Sequence, residues 1–146
     1  ADHYSRHLLD NTTLYPGVLD VLARYQRIPM HLATNKPRAF TDPILAGLHL
    51  SGAFRKVVCG DETPERKPDP VHLEICLEGL DVAPSDVVMV GDSPNDVNAA
   101  RALGAVSVAC TFGLGQPGLL KSSDPDFTID SMGELAGLFP SRQDHL

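Results

Sequence analysis

The sequence predicts one α/β domain built on an open parallel sheet, and three observations support this fold class. Short valine-rich runs alternate with amphipathic helical stretches, a pattern typical of strands joined by crossover helices. The 146 residues suffice for one compact domain and not for two. The run 87–91 is entirely apolar apart from its final glycine, as in parallel strands that are covered on both faces.

Five strands and five helices are predicted in order. The predicted strands cover residues 28–34, 56–60, 87–92, 105–110 and 127–129. The predicted helices begin at Pro16 and then cover 38–50, 71–80, 94–103 and 131–138. Proline suits the first helical position at Pro16 and Pro94, and Gly104 supplies a left-handed stop. Pro43 is expected to disturb the first turns of its helix.

The helical spacing of apolar residues predicts which faces are buried. The first helix is expected to turn inward Val18, Leu19, Leu22 and Tyr25. The third helix is expected to turn inward Val71, Ile75 and Leu77. In the last helix, Ser131 and Glu134 have the spacing of a capping box.

Composition and charge exclude several classes of function. The net charge is −7 and the isoelectric point is near 5.2, which argues against nucleic-acid binding. No apolar run is long enough to span a membrane, and the N-terminus lacks a signal-peptide pattern. The three cysteines, Cys59, Cys76 and Cys110, are too widely spaced for a zinc site and odd in number. These features predict a soluble protein of the reducing cytoplasm.

Polar side chains follow three predicted strands, where parallel sheets bind ligands. Thr34 and Asn35 follow the first strand, Lys67 lies in the loop after the second, and Asp92 and Asp96 follow the third. A hydroxyl with free backbone amides, an ammonium and carboxylates suit a phosphate with Mg²⁺.

Each of these residues also has a simpler interpretation. Thr34 could end a strand, Lys67 could be a solvated loop charge, and Asp92 could cap the following helix. Asp96 could be a surface carboxylate favoured by the helix dipole. Because all of them lie at the carboxyl ends of strands, chance explains the set poorly.

The motifs Thr34-Asn-Lys-Pro, Lys67-Pro-Asp-Pro and Gly91-Asp-Ser-Pro-Asn-Asp resemble motifs II, III and IV of the haloacid dehalogenase superfamily. Three further stretches resemble its phosphoglycolate phosphatase branch. They are Leu14-Tyr-Pro-Gly, Gly60-Asp-Glu and Ala99-Ala-Arg-Ala-Leu-Gly. The resemblance implies a Rossmann-like parallel sheet and a small phosphorylated metabolite as substrate, which for this branch is 2-phosphoglycolate. It also implies an aspartyl-phosphate intermediate with Mg²⁺ as cofactor.

The resemblance also implies a role for each site residue. Thr34 would hydrogen-bond the transferring phosphoryl group, beside the backbone amide of Asn35. Lys67 would neutralise charge on the nucleophile and the phosphate. Asp92 would bind Mg²⁺ directly, and Asp96 would orient a metal-bound water or Lys67.

The first motif of that superfamily, a strand ending in Asp-x-Asp-Gly-Thr, is absent from this sequence. Its first aspartate is the nucleophile, and its strand lies between those ending at Thr34 and Asp92. Asp124-Pro-Asp126 and the stretch 10–13 lack the preceding strand and do not replace it. We therefore expect an N-terminally incomplete core that is inactive alone, with its open sheet edges filled by dimerisation or strand exchange.

The expected domain organisation follows from this resemblance. Residues 1–13 would be a remnant of a cap-domain helix, 14–140 the core without its first strand, and 141–146 a tail. Because the cap selects the substrate in this superfamily, other phosphomonoesters stay open.

Parts of the sequence also fit two other functions. One is a non-catalytic protein that keeps the phosphate and Mg²⁺ site. The other is a nucleotide-binding module, because Gly113-Leu-Gly-Gln-Pro-Gly118 fits a glycine-rich fingerprint. Its position late in the chain argues against it. Among the histidines, His31 is predicted to be a packed core residue and His72 a surface residue.

Overall fold

The computed structural model describes residues 17–65, 67–112 and 117–140. The strands are β1 (His31–Ala33), β2 (Lys56–Val58), β3 (Val88–Gly91), β4 (Val106–Cys110) and β5 (Phe127–Ile129). The α-helices are α1 (Val18–Arg24), α2 (Arg38–Gly47), α3 (Val71–Leu77), α4 (Pro94–Leu103), α5 (Pro117–Ser122) and α6 (Leu135–Leu138). Short 3₁₀ turns at Pro84–Asp86 and Met132–Glu134 precede β3 and α6.

The five strands pair in parallel, which confirms the predicted fold class, but they form two sheets. β1 pairs with β2, with Leu32 opposite Val57. β4 lies between β3 and β5, and Val90 is opposite Val108. Within the described residues no strand joins β1 to β3. The expected break between the strands that end near the site is therefore present.

The direction of the backbone groups identifies the two edges that border this break. Thr34 N donates to Val58 O at 3.0 Å. Residues alternate direction along a strand, so the backbone groups of Ala33 point away from β2. On the other side, Val106 N donates to Val87 O at 2.9 Å, so Val88 and its alternate neighbours point away from β4. We call the space between these two edges the sheet gap.

The fully buried apolar residues concentrate on the three-stranded sheet. One cluster contains Val108, Cys110, Ile129 and Leu135, and a second contains Val97, Ala109 and Leu120. In contrast, the residues of β1 are all partly exposed. The best-packed part of the core therefore lies on β3–β5. Within the ranges described, no helix has both the length and the apolar character needed to cross a membrane.

Two predicted helix faces need correction. Leu19, predicted to point inward, is 59% exposed. In α3 the buried residues are His72, Leu73 and Cys76 rather than those predicted. The predicted set was Val71, Ile75 and Leu77, which are only partly buried. The helix is rotated because its first turn is fixed by the polar loop before it, which periodicity does not describe.

Several predicted boundaries were too long. The first strand begins at His31 rather than at residue 28, and Ile28 is 52% exposed. Helix α2 ends at Gly47 and runs through Pro43, while α3 ends at Leu77. The residues predicted beyond the observed ends have strand or helix propensity but pack against little of the rest of the fold. Propensity alone does not stabilise such short segments.

The boundaries with explicit stop signals were predicted correctly. Helix α4 begins after the N-cap Ser93 and ends before Gly104, which has a left-handed φ of 90°. The capping box of Ser131 and Glu134 is present. Residues 1–16, 113–116 and 141–146 lie outside the described residues, so the predicted cap remnant, glycine fingerprint and tail are not described.

Candidate active site

The loop after β1 is shaped by a close approach to a second loop. Lys36 N donates to Thr34 Oγ1 at 3.1 Å, so the hydroxyl accepts there and keeps its own proton to donate. Gly60 N donates to Lys36 O at 2.9 Å. A Cβ at position 60 would overlap the carbonyl of Asn35. Glycine is therefore required where the two loops meet.

The Asn35 side chain binds the main chain of Lys67 at both of its polar atoms. Its Oδ1 accepts from Lys67 N at 3.0 Å, and its Nδ2 donates to Lys67 O at 3.2 Å. These two bonds fix the residue that follows β1 to a residue 32 positions later. The sequence predicted a role for the backbone amide of Asn35, and the structure adds this role for its side chain.

The Lys67 ammonium lies between the two sheets. Its Nζ donates to Ala33 O at 3.0 Å, on the edge of β1 that faces the sheet gap. The same atom forms an ion pair with Asp96 Oδ1. The side chains of Lys67 and Asp96 are 10% and 8% exposed, so this pair is largely removed from water. The peptide bond between Lys67 and Pro68 is cis.

Asp96 is held from the other side by the turn that follows β3. Its Oδ2 accepts from Asp92 N at 3.1 Å, from Ser93 N at 3.3 Å and from Ser93 Oγ at 3.2 Å. A Cβ on Gly91 would overlap the Asp96 side chain, so glycine is needed at the end of β3. The Asp96 carboxylate therefore binds Lys67 through one oxygen and the strand-to-helix turn through the other.

The structure brings the five predicted site residues together at one edge of the fold. Lys67 contacts both Asn35 and Asp96, Asp96 contacts the backbone of Asp92, and Thr34 directly follows the carbonyl that Lys67 binds.

The simpler interpretations of three of these residues do not hold. Asp96 is 6% exposed and is not a surface carboxylate. Lys67 is ion-paired rather than solvated, and Ser93 rather than Asp92 is the N-cap of α4.

Cys110, which ends β4, does not supply a nucleophile. Burial, with the nearby charges of Asp92 and Asp96, raises the pKa of the Cys110 thiol to about 12. A thiol that stays protonated is a poor nucleophile. The three cysteines are buried and unpaired, as predicted for Cys59 and Cys110. Asp126 lies elsewhere, where its Oδ2 accepts from Ser107 N at 2.8 Å.

The carboxylates at this edge of the fold are of the ligand type that Mg²⁺ prefers. Mg²⁺ is usually bound by one or two carboxylates together with substrate phosphates and waters. Both oxygens of Asp96 accept from protein donors. Asp92 is the second carboxylate in the turn after β3, and it is the one to which the resemblance assigns Mg²⁺. Among the residues described, no group of three or more His, Cys, Asp or Glu side chains is placed to hold a metal.

The sequence prediction missed two features of the histidines. His72, predicted to lie on the surface, is fully buried, and its Nε2 lies 2.8 Å from Thr63 Oγ1. His31 is only partly buried as a residue, yet both of its ring nitrogens are buried without a hydrogen-bond partner. No periodic signal marks His72, because its partner lies in a loop.

Comparisons with known proteins identify the family of this chain. The family model for haloacid dehalogenase-like hydrolases matches residues 3–104. The phosphoglycolate phosphatase of Chromobacterium violaceum is 39% identical over 140 residues, which are 94% of this chain and 62% of that protein. The phosphoglycolate phosphatase of Escherichia coli K12 is 36% identical over 135 residues, which are 91% of this chain and 54% of that protein.

A solved structure extends the match to the fold. The crystal structure of a predicted phosphoglycolate phosphatase from Haemophilus somnus superposes with a TM-score of 0.84 at 28% identity. The match covers 94% of this chain and 62% of that one. The chain therefore spans between about half and two thirds of the length of these relatives. The family match, the fold and the motifs agree, and the chain belongs to the haloacid dehalogenase-like hydrolase family.

Proposed function

We propose that this chain is the core of a Mg²⁺-dependent phosphatase that hydrolyses a small phosphomonoester, with 2-phosphoglycolate as the first substrate to test. The observation that carries the proposal is the Lys67 ammonium, buried between the two sheets and fixed by Asn35, Ala33 and Asp96. A buried, fixed cation at the carboxyl ends of parallel strands is suited to offset the charge of a phosphate.

Three groups of the chain would act on the phosphoryl group. The Thr34 hydroxyl accepts from Lys36 N and so directs its own proton to a phosphate oxygen. Lys67 would neutralise charge as the phosphoryl group is transferred, and the Asn35 backbone amide would donate beside it. Asp96 would hold Lys67 in place.

Asp92 would be the carboxylate of this chain that binds Mg²⁺. When bound, Mg²⁺ stabilises the charge that develops on the transferring phosphoryl oxygens. The other protein ligands and the nucleophilic aspartate would come from a strand that occupies the sheet gap. By the family resemblance, the aspartyl-phosphate would form on that strand, because the sequence of this chain contains no Asp-x-Asp-Gly-Thr motif.

The sheet gap also indicates which partner to expect. We propose that the 146-residue chain by itself is inactive, and that the edges of β1 and β3, which no described strand covers, pair with a second copy by dimerisation or strand exchange. The three unpaired cysteines fit a reducing compartment, and we place the enzyme in the cytoplasm.

Phosphate release tests the proposed function. The full-length gene product and the 146-residue chain are each incubated with 2-phosphoglycolate, a sugar phosphate and a nucleoside monophosphate, with Mg²⁺ or with excess chelator. We expect Mg²⁺-dependent release by the full-length product, fastest with 2-phosphoglycolate, and none by the short chain.

The other outcomes are equally informative. Release by the short chain would contradict the missing-nucleophile argument. No release by the full-length product from any ester would favour a non-catalytic phosphate-binding protein. Sedimentation velocity of the short chain tests the pairing, and a monomer would contradict it.

A further inference from the structure

Lys67 is carried by a long polar loop, which must be rigid if the ammonium is to stay between the sheets. The loop runs from Gly60 to Pro70, between β2 and α3. Near its start, Glu62 Oε1 accepts from Cys59 N at 3.1 Å. Near its end, Asp69 Oδ1 accepts from Val71 N at 2.9 Å. Asn35 holds Lys67 itself.

A further anchor lies in the middle of the loop. Thr63 Oγ1 donates its proton to Glu65 O, and it lies 2.8 Å from Nε2 of His72. A hydroxyl has one proton to donate. Since that proton is used within the loop, His72 Nε2 must be the donor in the second bond. In the neutral imidazole the hydrogen therefore lies on Nε2.

The surroundings of the ring agree with this tautomer. His72 is fully buried in α3, and its Nδ1 has no hydrogen-bond partner. A hydrogen on Nδ1 would be buried without an acceptor, which is costly. Burial, and then the positive charge of Lys67, lowers the pKa of His72, although Glu62 and Asp69 oppose the shift.

We propose that His72 is a positioning residue for Lys67, acting through Thr63 to hold the loop that carries the ammonium. The proposal rests on the proposed function, because it assigns His72 to the same site. His72 does not touch the phosphate position; it fixes the middle of the loop, as Asn35 fixes the end. The bonds of Thr63 to Glu65 and to His72 are formed by groups that periodicity and motif matching do not single out.

The test uses a readout that does not depend on turnover. In the full-length protein, the side-chain ammonium of Lys67 is followed by ¹H–¹⁵N NMR, since an ion-paired ammonium that is 10% exposed is protected from rapid exchange. We expect the signal to be broadened or absent in His72→Leu. In His72→Gln, whose amide keeps a hydrogen-bond donor, we expect the signal to be retained. His49→Asn, at an exposed position with a φ of 60° that asparagine accepts, is the matched control.

Kinetics separate positioning from general destabilisation. With 2-phosphoglycolate, kcat of His72→Leu is expected to fall about tenfold while KM stays within about twofold, the size seen when outer partners of site residues are removed. Thr63→Val removes the same bond from the loop side and should reproduce the effect, including when His72→Leu does not fold.

Opposite outcomes are distinguishable. An unchanged Lys67 signal in folded His72→Leu or Thr63→Val would overturn the proposal whether or not the protein is a phosphatase. A changed signal in a protein without phosphatase activity would support the positioning role and contradict the proposed function.

Discussion

The two halves of the fold differ in how completely each is packed. The β3–β5 sheet has β4 paired on both sides and contains both buried apolar clusters. The β1–β2 sheet has two short strands, and β1 is partly exposed throughout. Both halves nevertheless contribute to one site, and the Lys67–Asp96 ion pair joins them. The difference shows that the site can be assembled by polar contacts across a gap that the sheet itself does not close.

The largest expected effect comes from removing the charges at this junction. In the full-length protein, Lys67→Ala or Asp92→Ala should lower kcat by roughly 10²-fold or more, because a fixed cation and a metal carboxylate act on the transferring phosphoryl group. Steady-state phosphate release measures the change. The control is Asp42→Ala, which removes an exposed carboxylate that pairs with Arg38, and it should stay near wild type. Near-normal turnover in either site variant would contradict the assignment.

The second prediction concerns the turn that supports Asp96. Gly91→Ala should lower the free energy of unfolding by about 2 kcal/mol, since the added methyl overlaps the Asp96 side chain in a packed region. Urea denaturation measures it. Gly137→Ala, in α6 with open space around the new methyl, should be neutral or stabilising by up to about 1 kcal/mol. Equal effects at the two glycines would rule out the close approach at position 91.

A matched pair of core truncations tests the unequal packing directly. Val108→Ala, in β4 with 1% of its side chain exposed, should cost about 2 kcal/mol through lost burial and a cavity. Val57→Ala, in β2 and only partly buried, should cost about 1 kcal/mol or less. Both are measured by urea denaturation. If Val57→Ala is the more damaging change, the first half is packed better than its burial indicates, as an occupied sheet gap would produce.

The smallest expected effect is a dependence of stability on pH. Burial lowers the pKa of both His72 and His31. The positive charge of Lys67 lowers the pKa of His72 further, and that of Lys56 lowers the pKa of His31 further. The unfolded chain, with an ordinary histidine pKa near 6.5, therefore binds more protons than the folded chain below that pH. The free energy of unfolding should therefore be fully retained above about pH 6.5, and it should decrease as the pH falls toward the lowered pKa values of the two histidines.

The same titration distinguishes the two halves. His31 lies in β1, and His72 lies in α3, which packs on β1 and β2. Hydrogen exchange at pH 7.5 and 5.5 should therefore show the β1–β2 amides losing protection before those of β3–β5. His49→Asn, at an exposed position, should leave the pH dependence unchanged. Uniform loss of protection across both sheets would contradict a local origin.

The sequence predicted those features of the fold that have local causes. Helix α4 was bounded correctly because Ser93 and Gly104 are chemical signals for a start and a stop. The burial of His72 and the side-chain role of Asn35 were not predictable, since both depend on loops that meet only in the folded chain. Asn35 and Lys67 are 32 residues apart, and no spacing rule links an amide to a main-chain segment at that distance.

The overlap between position 91 and Asp96 has a consequence for how this chain can change over evolutionary time. Any side chain at position 91 would displace the carboxylate that holds Lys67. Conversely, a lineage that replaced Asp96 with a small residue would release position 91 from its need for glycine. Among sequences with this turn, we therefore expect substitutions at the two positions to occur together.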